Sequence, residues 1–189
     1  MTPARTIADL RAHLQRFAGD RKAISAVEFA LILPFMVATY VGSAELGDGL
    51  AISFKVTETA RVVTDLASQY VTIDPTTMTN ILGASAQVVQ PYSSAGMIVT
   101  LSQVKPSNAS GQSTIDWSCS LNGTARTAGA TVTLPTNLQT PTGVSIIWGE
   151  VTYPYTPAMG YAVTGTVDLY QSIYFYARLS NSVTLTSGC

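Results

Sequence analysis

Between residues 24 and 44 the chain is apolar almost without interruption, and Glu28 is the one charged side chain in ISAVEFALILPFMVATYVGSA. As a helix this run is about as long as the roughly 30 Å hydrocarbon core of a bilayer. Beyond it the pattern becomes amphipathic. Ile52, Val56, Ala60, Val63, Ala67 and Tyr70 recur every three or four residues, so the helix is predicted to continue to about residue 70 with one stripe to bury. Lys55, Glu58 and Asp65 fall on other faces, and Arg61 stands one turn from both Glu58 and Asp65. Gly42, Gly47 and Gly49 mark where the helix is expected to bend or weaken. Pro34 has no N–H for the Ala30 carbonyl, so a kink or softened turn is expected there.

Further along, Asp74 is placed as an N-cap with Pro75 at the first position of a second, short helix. The texture then changes to Thr, Ser, Val and Tyr, and strands are predicted over 97–105, 113–121, 143–156, 166–180 and 182–185. Asn122–Gly123 is a hairpin signal. The small-residue stretch 122–142 has no period that specifies its packing. A helix with an unspent apolar stripe and several strands predict an α+β fold, an antiparallel sheet closing over the outer half of a long helix. The segments are a leader over 1–23, a membrane span over 24–46, a helical continuation over 47–72 and a head over 73–189. A short amphipathic helix over 3–17, or a loosely ordered leader, precedes them.

Charge sets the orientation. Residues 1–22 hold five basic and two acidic side chains, a net of +3, and the remainder nets −4. The positive-inside rule places the leader in the cytoplasm and residues beyond about 45 outside. A cleaved secretory signal is the alternative, and the length of the apolar run favours a retained anchor. Only 11% of the chain is charged, well under the ~25% usual in soluble domains. A net charge of −1 gives no basic field for nucleic acid. Cys119 and Cys189 both fall on the outer side, where one disulfide is the simplest outcome and two free thiols the other. Closing so long a loop contributes roughly 4 kcal/mol by chain-entropy reasoning.

Candidate chemistry is sparse. The single histidine, His13, lies in the leader, which leaves the head without a Ser–His or Cys–His pair. Two distant cysteines do not make a zinc site, and no Gly-rich phosphate loop is present. Asp65, Asp74, Asp116, Glu150 and Asp168 are scattered without calcium-loop spacing, so a hydrolase would need a carboxylate pair brought together by the fold. Asn108–Ser110 and Asn122–Thr124 match glycosylation sequons that arise readily by chance. No enzyme, cofactor or metal is expected. Tyr153, Tyr155, Tyr170, Tyr174 and Tyr176, with Trp148, read as a sheet core with tyrosines at its margins or as a ligand platform.

The segment RKAISAVEFALILPF resembles the N-terminal signature of TadE-like minor pseudopilins, small subunits of the Tad/Flp pilus system. The likeness continues through SAELG, KVTETARVVTDLAS, VTYPYTP, YARLSNSVTL and the terminal Cys, and is patchy between 75 and 140. It implies a pilin-like fold and an inner-membrane, single-span subunit with a periplasmic head. It also implies cleavage by a prepilin peptidase between Ala23 and Ile24, making Glu28 the fifth mature residue; the family usually has Gly where this chain has Ala23. Glu28, Phe29 and Pro34 would then be assembly residues. The implied partners are other minor pilins, the major Flp-type pilin, pilus platform proteins, the prepilin peptidase and the membrane, with no nucleic acid.

Glu28 fits that scheme physically. A carboxylate at a helix centre costs on the order of 3 kcal/mol on insertion scales, and less one turn from the interface. Among packed apolar helices it would be neutralised by the free amino terminus at Ile24 of its own or a neighbouring chain, which sets the axial offset between subunits. The plain alternative is a carboxylate that snorkels and marks the interface. For the whole chain the rival reading is a permanently anchored periplasmic binding module whose Tyr-rich sheet takes peptide or glycan.

Overall fold

The computed structural model describes residues 21–105, 112–138, 143–158 and 165–189, and of residues 21–23 the backbone alone. The amphipathic stretch expected over 3–17, His13 and the Asn108 sequon lie outside the described residues. Internal contacts divide the chain into 1–46 and 47–189.

Helix α1 runs unbroken over Arg21–Ser68, through Pro34 and all three glycines, so the expected interruption near residue 47 is absent. One missing N–H bond or one glycine costs about 1–3 kcal/mol, which a 48-residue ladder absorbs. In its second half the predicted stripe is the one that is buried: Ile52, Val56, Ala60, Val63 and Ala67 are almost wholly covered. Tyr70 does not join them. The helix ends at Ser68, where the backbone N–H of Arg178 donates to the Ser68 carbonyl at 3.0 Å, and Tyr70 is 39% exposed.

After the two-residue strand β1 (Thr72–Ile73), α2 spans Pro75–Val88 with Asp74 as N-cap and Pro75 in the first turn, as expected. The Asp74 carboxylate accepts from the Thr77 N–H at 2.8 Å, and that bond lowers its pKa below the usual aspartate value. Met78, Ile81 and Leu82 bury the inner face of α2 in the same core cluster as α1.

Strands β2 (Ile98–Lys105), β3 (Gln112–Leu121), β4 (Thr131–Thr133), β5 (Ile146–Tyr155) and β6 (Val167–Tyr176) form one antiparallel sheet in the order β4-β3-β2-β5-β6. The chain is therefore α+β, a long N-terminal helix and an antiparallel sheet. The alternation of β5 assigns its faces: Ile147, Gly149, Val151 and Tyr153 are buried, while Trp148, Glu150 and Thr152 are only partly covered. Asn122–Gly123 does not make a tight hairpin. Nine residues separate β3 from β4, and Asn122 sits in the left-handed region (φ 58°), its side-chain amide donating to the Met97 carbonyl at 3.1 Å.

The outer part of α1 lies against β5 with the closest approach at Gly149. A Cβ built there would stand 1.8 Å from Thr64 Oγ1 and 3.4 Å from the Ala60 carbonyl oxygen. Thr64 is fully buried, with its hydroxyl donating to that same carbonyl. Gly49 meets Tyr155 in the same interface. Since residues 49 and 64 of α1 face 155 and 149 of β5, the two run in opposite directions, and β6 runs with α1.

A C-terminal segment closes this side. Ser145 N–H donates to Asn181 O, Val183 N–H donates to Gln103 Oε1 and Trp117 Nε1 donates to Val183 O. Strand β7 (Thr184–Leu185) then pairs in parallel with β1, Thr72 opposite Thr184. Gln103, fully buried, spends its other end on Asp116 at the bulge in β3.

Gly149→Ala is expected to destabilise the fold by about 2–3 kcal/mol through overpacking. Pairing it with Thr64→Ala, which vacates the clashing oxygen, should lose less than the sum of the two single changes. Chemical denaturation of the full chain in detergent, run as a double-mutant cycle, measures that coupling.

Candidate functional site

Two features are built for contact or chemistry, and each belongs to its own part of the chain. The first is the N-terminal stretch of α1. The only described helix long and apolar enough to cross a membrane is this one, and its most apolar 18-residue window has mean hydropathy 1.9 with none of it buried within the protein. Ile24 and Phe29 are 52% and 57% exposed, and Leu31, Phe35, Met36 and Tyr40 are equally open. Glu28 and Pro34 lie on the same exposed stretch, and Ala23 falls within the helix backbone. The sequence-derived positions Ile24, Glu28, Phe29 and Pro34 thus lie on one exposed stretch of a single helix, whose backbone also includes Ala23.

Past the span, one side of α1 remains open after the other is buried. Leu50 and Phe54 are 61% and 73% exposed beside Lys55, Glu58 and Arg61. Of the two acids one turn from Arg61, Asp65 is engaged elsewhere. It takes the guanidinium of Arg178 and the side-chain amide of Gln69.

The second feature is the sheet face turned away from α1. Trp148 stands directly across from Tyr174, Glu150 from Ser172, and Thr152 from Tyr170. Trp148 and Tyr174 stack at 5.5 Å, and Trp148 Nε1 donates to Ser172 Oγ at 3.0 Å. The stretch that the sequence left unspecified supplies the cover: Val132, Leu134 and Leu138 pack with Val104, Ile115 and Ile146 in a small second core. From that stretch Arg126 reaches over Trp148, 4.1 Å from the ring centroid, and donates two bonds of 2.8 and 2.9 Å to the Glu150 carboxylate. That pairing raises the Arg126 pKa above the ordinary value. Tyr170 donates its hydroxyl to the same carboxylate at 2.7 Å.

The six aromatics read together as a platform are therefore divided. Trp148, Tyr170, Tyr174 and Tyr176 share the outer face, whereas Tyr153 is in the main core and Tyr155 packs toward Gly49 of α1. Arg126 was not singled out by the sequence, and Glu150 was read only as one of the scattered acids. The available signal was the scarcity of charge, since an arginine within a small-residue stretch has few acids to meet.

The acids are also separated. Asp65, Asp74, Asp116 and Glu150 each engage a different partner: Arg178, the α2 N-terminus, Lys105 and Arg126. Among the described residues no three His, Cys, Asp or Glu side chains gather as a metal site. The two cysteines are joined, Cys119 of β3 to Cys189, with Cα atoms 5.6 Å apart across a sequence separation of 70.

Burial first, and the bond to Glu150 second, push the Tyr170 pKa up to about 12. The folded state holds the neutral phenol, so this contribution to stability is intact below the ordinary tyrosine value near 10 and is lost as pH rises through about 12. Ultraviolet titration of the phenolate band should show a late step near pH 12 that Tyr170→Phe deletes and Glu150→Gln moves down.

Comparison of the chain with protein-family models, with curated proteins and with solved structures finds no match.

Proposed function

We propose that this chain is a TadE-like minor pseudopilin, an assembly subunit of a Tad/Flp pilus that works by helix packing rather than by catalysis. The reading rests on the signature around Glu28 and is supported by one structural observation. A single unbroken helix is apolar and uncovered in its first half, and in its second half it is the spine of an α+β head. That division of labour is what a pilin-like subunit requires: a lateral surface for neighbours and a head that folds by itself.

On this reading residues 1–23 are a cytoplasmic leader, the prepilin peptidase cuts between Ala23 and Ile24, and the head is periplasmic. Glu28 meets a free amino terminus when subunits pack, which fixes their axial register, and Pro34 softens the helix for departure from the bilayer. Leu50 and Phe54 extend the packing surface beyond the membrane. The partners are other minor pilins, the major pilin and the platform proteins, in a priming complex or at the filament tip. The rival reading, a permanently anchored module using the outer aromatic face, is weakened by the occupation of that face by Arg126 and the 122–138 stretch.

N-terminal sequencing of membrane-purified protein, co-expressed with a prepilin peptidase, should give a start at Ile24. An intact Met1 would favour the anchored module. Glu28→Gln should leave insertion unchanged and reduce recovery with partner pilins about tenfold, the loss expected when a charge-assisted contact worth ~1.5 kcal/mol is removed. Unchanged recovery in a quantitative pull-down would refute the register role.

A further inference from the structure

The two edges of the five-stranded sheet are unlike. Strand β4 offers three residues and is blunt, whereas β6 is an edge strand of ten residues, Val167–Tyr176. A long edge exposes a row of N–H and C=O groups, and proteins ordinarily protect it with proline, lysine, a bulge or a covering element. Strand β6, VDLYQSIYFY, has none of these devices within its span: no Pro, no Lys, and an unshifted register with β5 from Tyr155↔Val167 to Ile146↔Tyr176. No described residue pairs with its other edge. Four of its side chains are exposed, Val167, Asp168, Tyr170 and Tyr176, and the other six are partly buried.

We propose that the β6 edge is a docking site for an extended segment of a partner protein, which adds a sixth strand to the sheet. Backbone bonds would hold the guest and alternate side chains would select it. Two observations narrow the guest. Asp168 is the one charged residue on β6 and is exposed, so a Lys or Arg across from it is favoured and an acid is penalised. The tyrosines and Ser172 on the outer face favour β-branched or hydroxyl residues beside them.

Antiparallel self-pairing is disfavoured by the direction of β6. An antiparallel pair of β6 edges would set the outer stretches of two α1 helices in opposite directions, because β6 runs with α1. Copies packed with their helices parallel do not make that contact. This exclusion alone rests on the packing proposed above; the open edge and its charge preference stand without it.

Hydrogen exchange on the full-length protein in detergent tests the site. The probe is a capped ten-residue peptide of alternating Thr and Val with Lys at its second and ninth positions, so that one Lys faces Asp168 in either strand direction. At about ten times its dissociation constant the peptide should slow exchange of β6 amides roughly tenfold and leave β4 unchanged. A counterpart with Glu in place of Lys should bind about threefold more weakly. Asp168→Lys, at an exposed position, should reverse that preference. Absence of added protection in β6, or indifference to the charge at 168, overturns the proposal. So does protection in the free protein: if it rises with protein concentration, a second copy occupies the edge, and if it does not, the chain covers its own edge. These outcomes are separate from the N-terminal start, which reports on the pseudopilin reading.

Discussion

The contact between Thr64 of α1 and Gly149 of β5 sets the geometry of everything built around it. Packed layers of secondary structure stand about 10 Å apart when ordinary side chains separate them, and a shorter approach needs a residue without a side chain at the contact. Gly149 provides that, and the stripe from Ile52 to Ala67 can then be covered along its length. Small hydroxyl residues on the helix serve the same end, because Thr59, Thr64 and Ser68 return their hydroxyls to the helix's own carbonyls and need no partner on the sheet. The main core consequently combines a polar-looking helix with an aliphatic sheet face.

The opposite face follows a different logic. Apolar cover is short there, so hydroxyl pairs and one charge cluster complete it. Thr100 and Ser120 stand 2.8 Å apart, Ser102 and Ser118 2.9 Å, and Arg126 closes over Trp148 while holding Glu150. Groups that would otherwise lose water on burial are paired with one another, so β2 is buried on both faces without being apolar on both. The aromatic side chains there serve as a lid seat as much as a surface.

Legibility in the sequence tracked the distance along the chain over which each feature is decided. The α1 stripe, the Asp74 cap and the main strands are set by neighbours within a few residues, and the pattern specified them. Tyr70 kept the helical period yet left the stripe, because the helix ends at Ser68, whose carbonyl accepts from the N–H of Arg178, more than a hundred residues away. The same arginine pairs with Asp65, one of the two acids within a turn of Arg61. The packing of 122–138, the two-residue strand β1 and the buried Gln103 depend on tertiary partners and leave no local period, whereas β7 falls within the strand expected over 182–185. The division of the aromatics was available in principle: Trp148 differs from Tyr153 and Tyr155 by an odd number of positions, which places them on opposite faces of one strand. The stretch around Glu28 was legible as chemistry but not as contacts, since its chemistry concerns molecules outside the fold.

The pairing of β1 with β7 has a consequence for how the head comes into being. Thr72 leaves the ribosome 112 residues before Thr184, and the carbonyls of Val71 and Ile73 wait for the amides of Thr184 and Thr186. A nascent head therefore stays ajar at the foot of its main helix until nearly all of it has been made. Such late closure favours slow maturation, and it leaves truncated products visible to proteases through their unlatched helix ends.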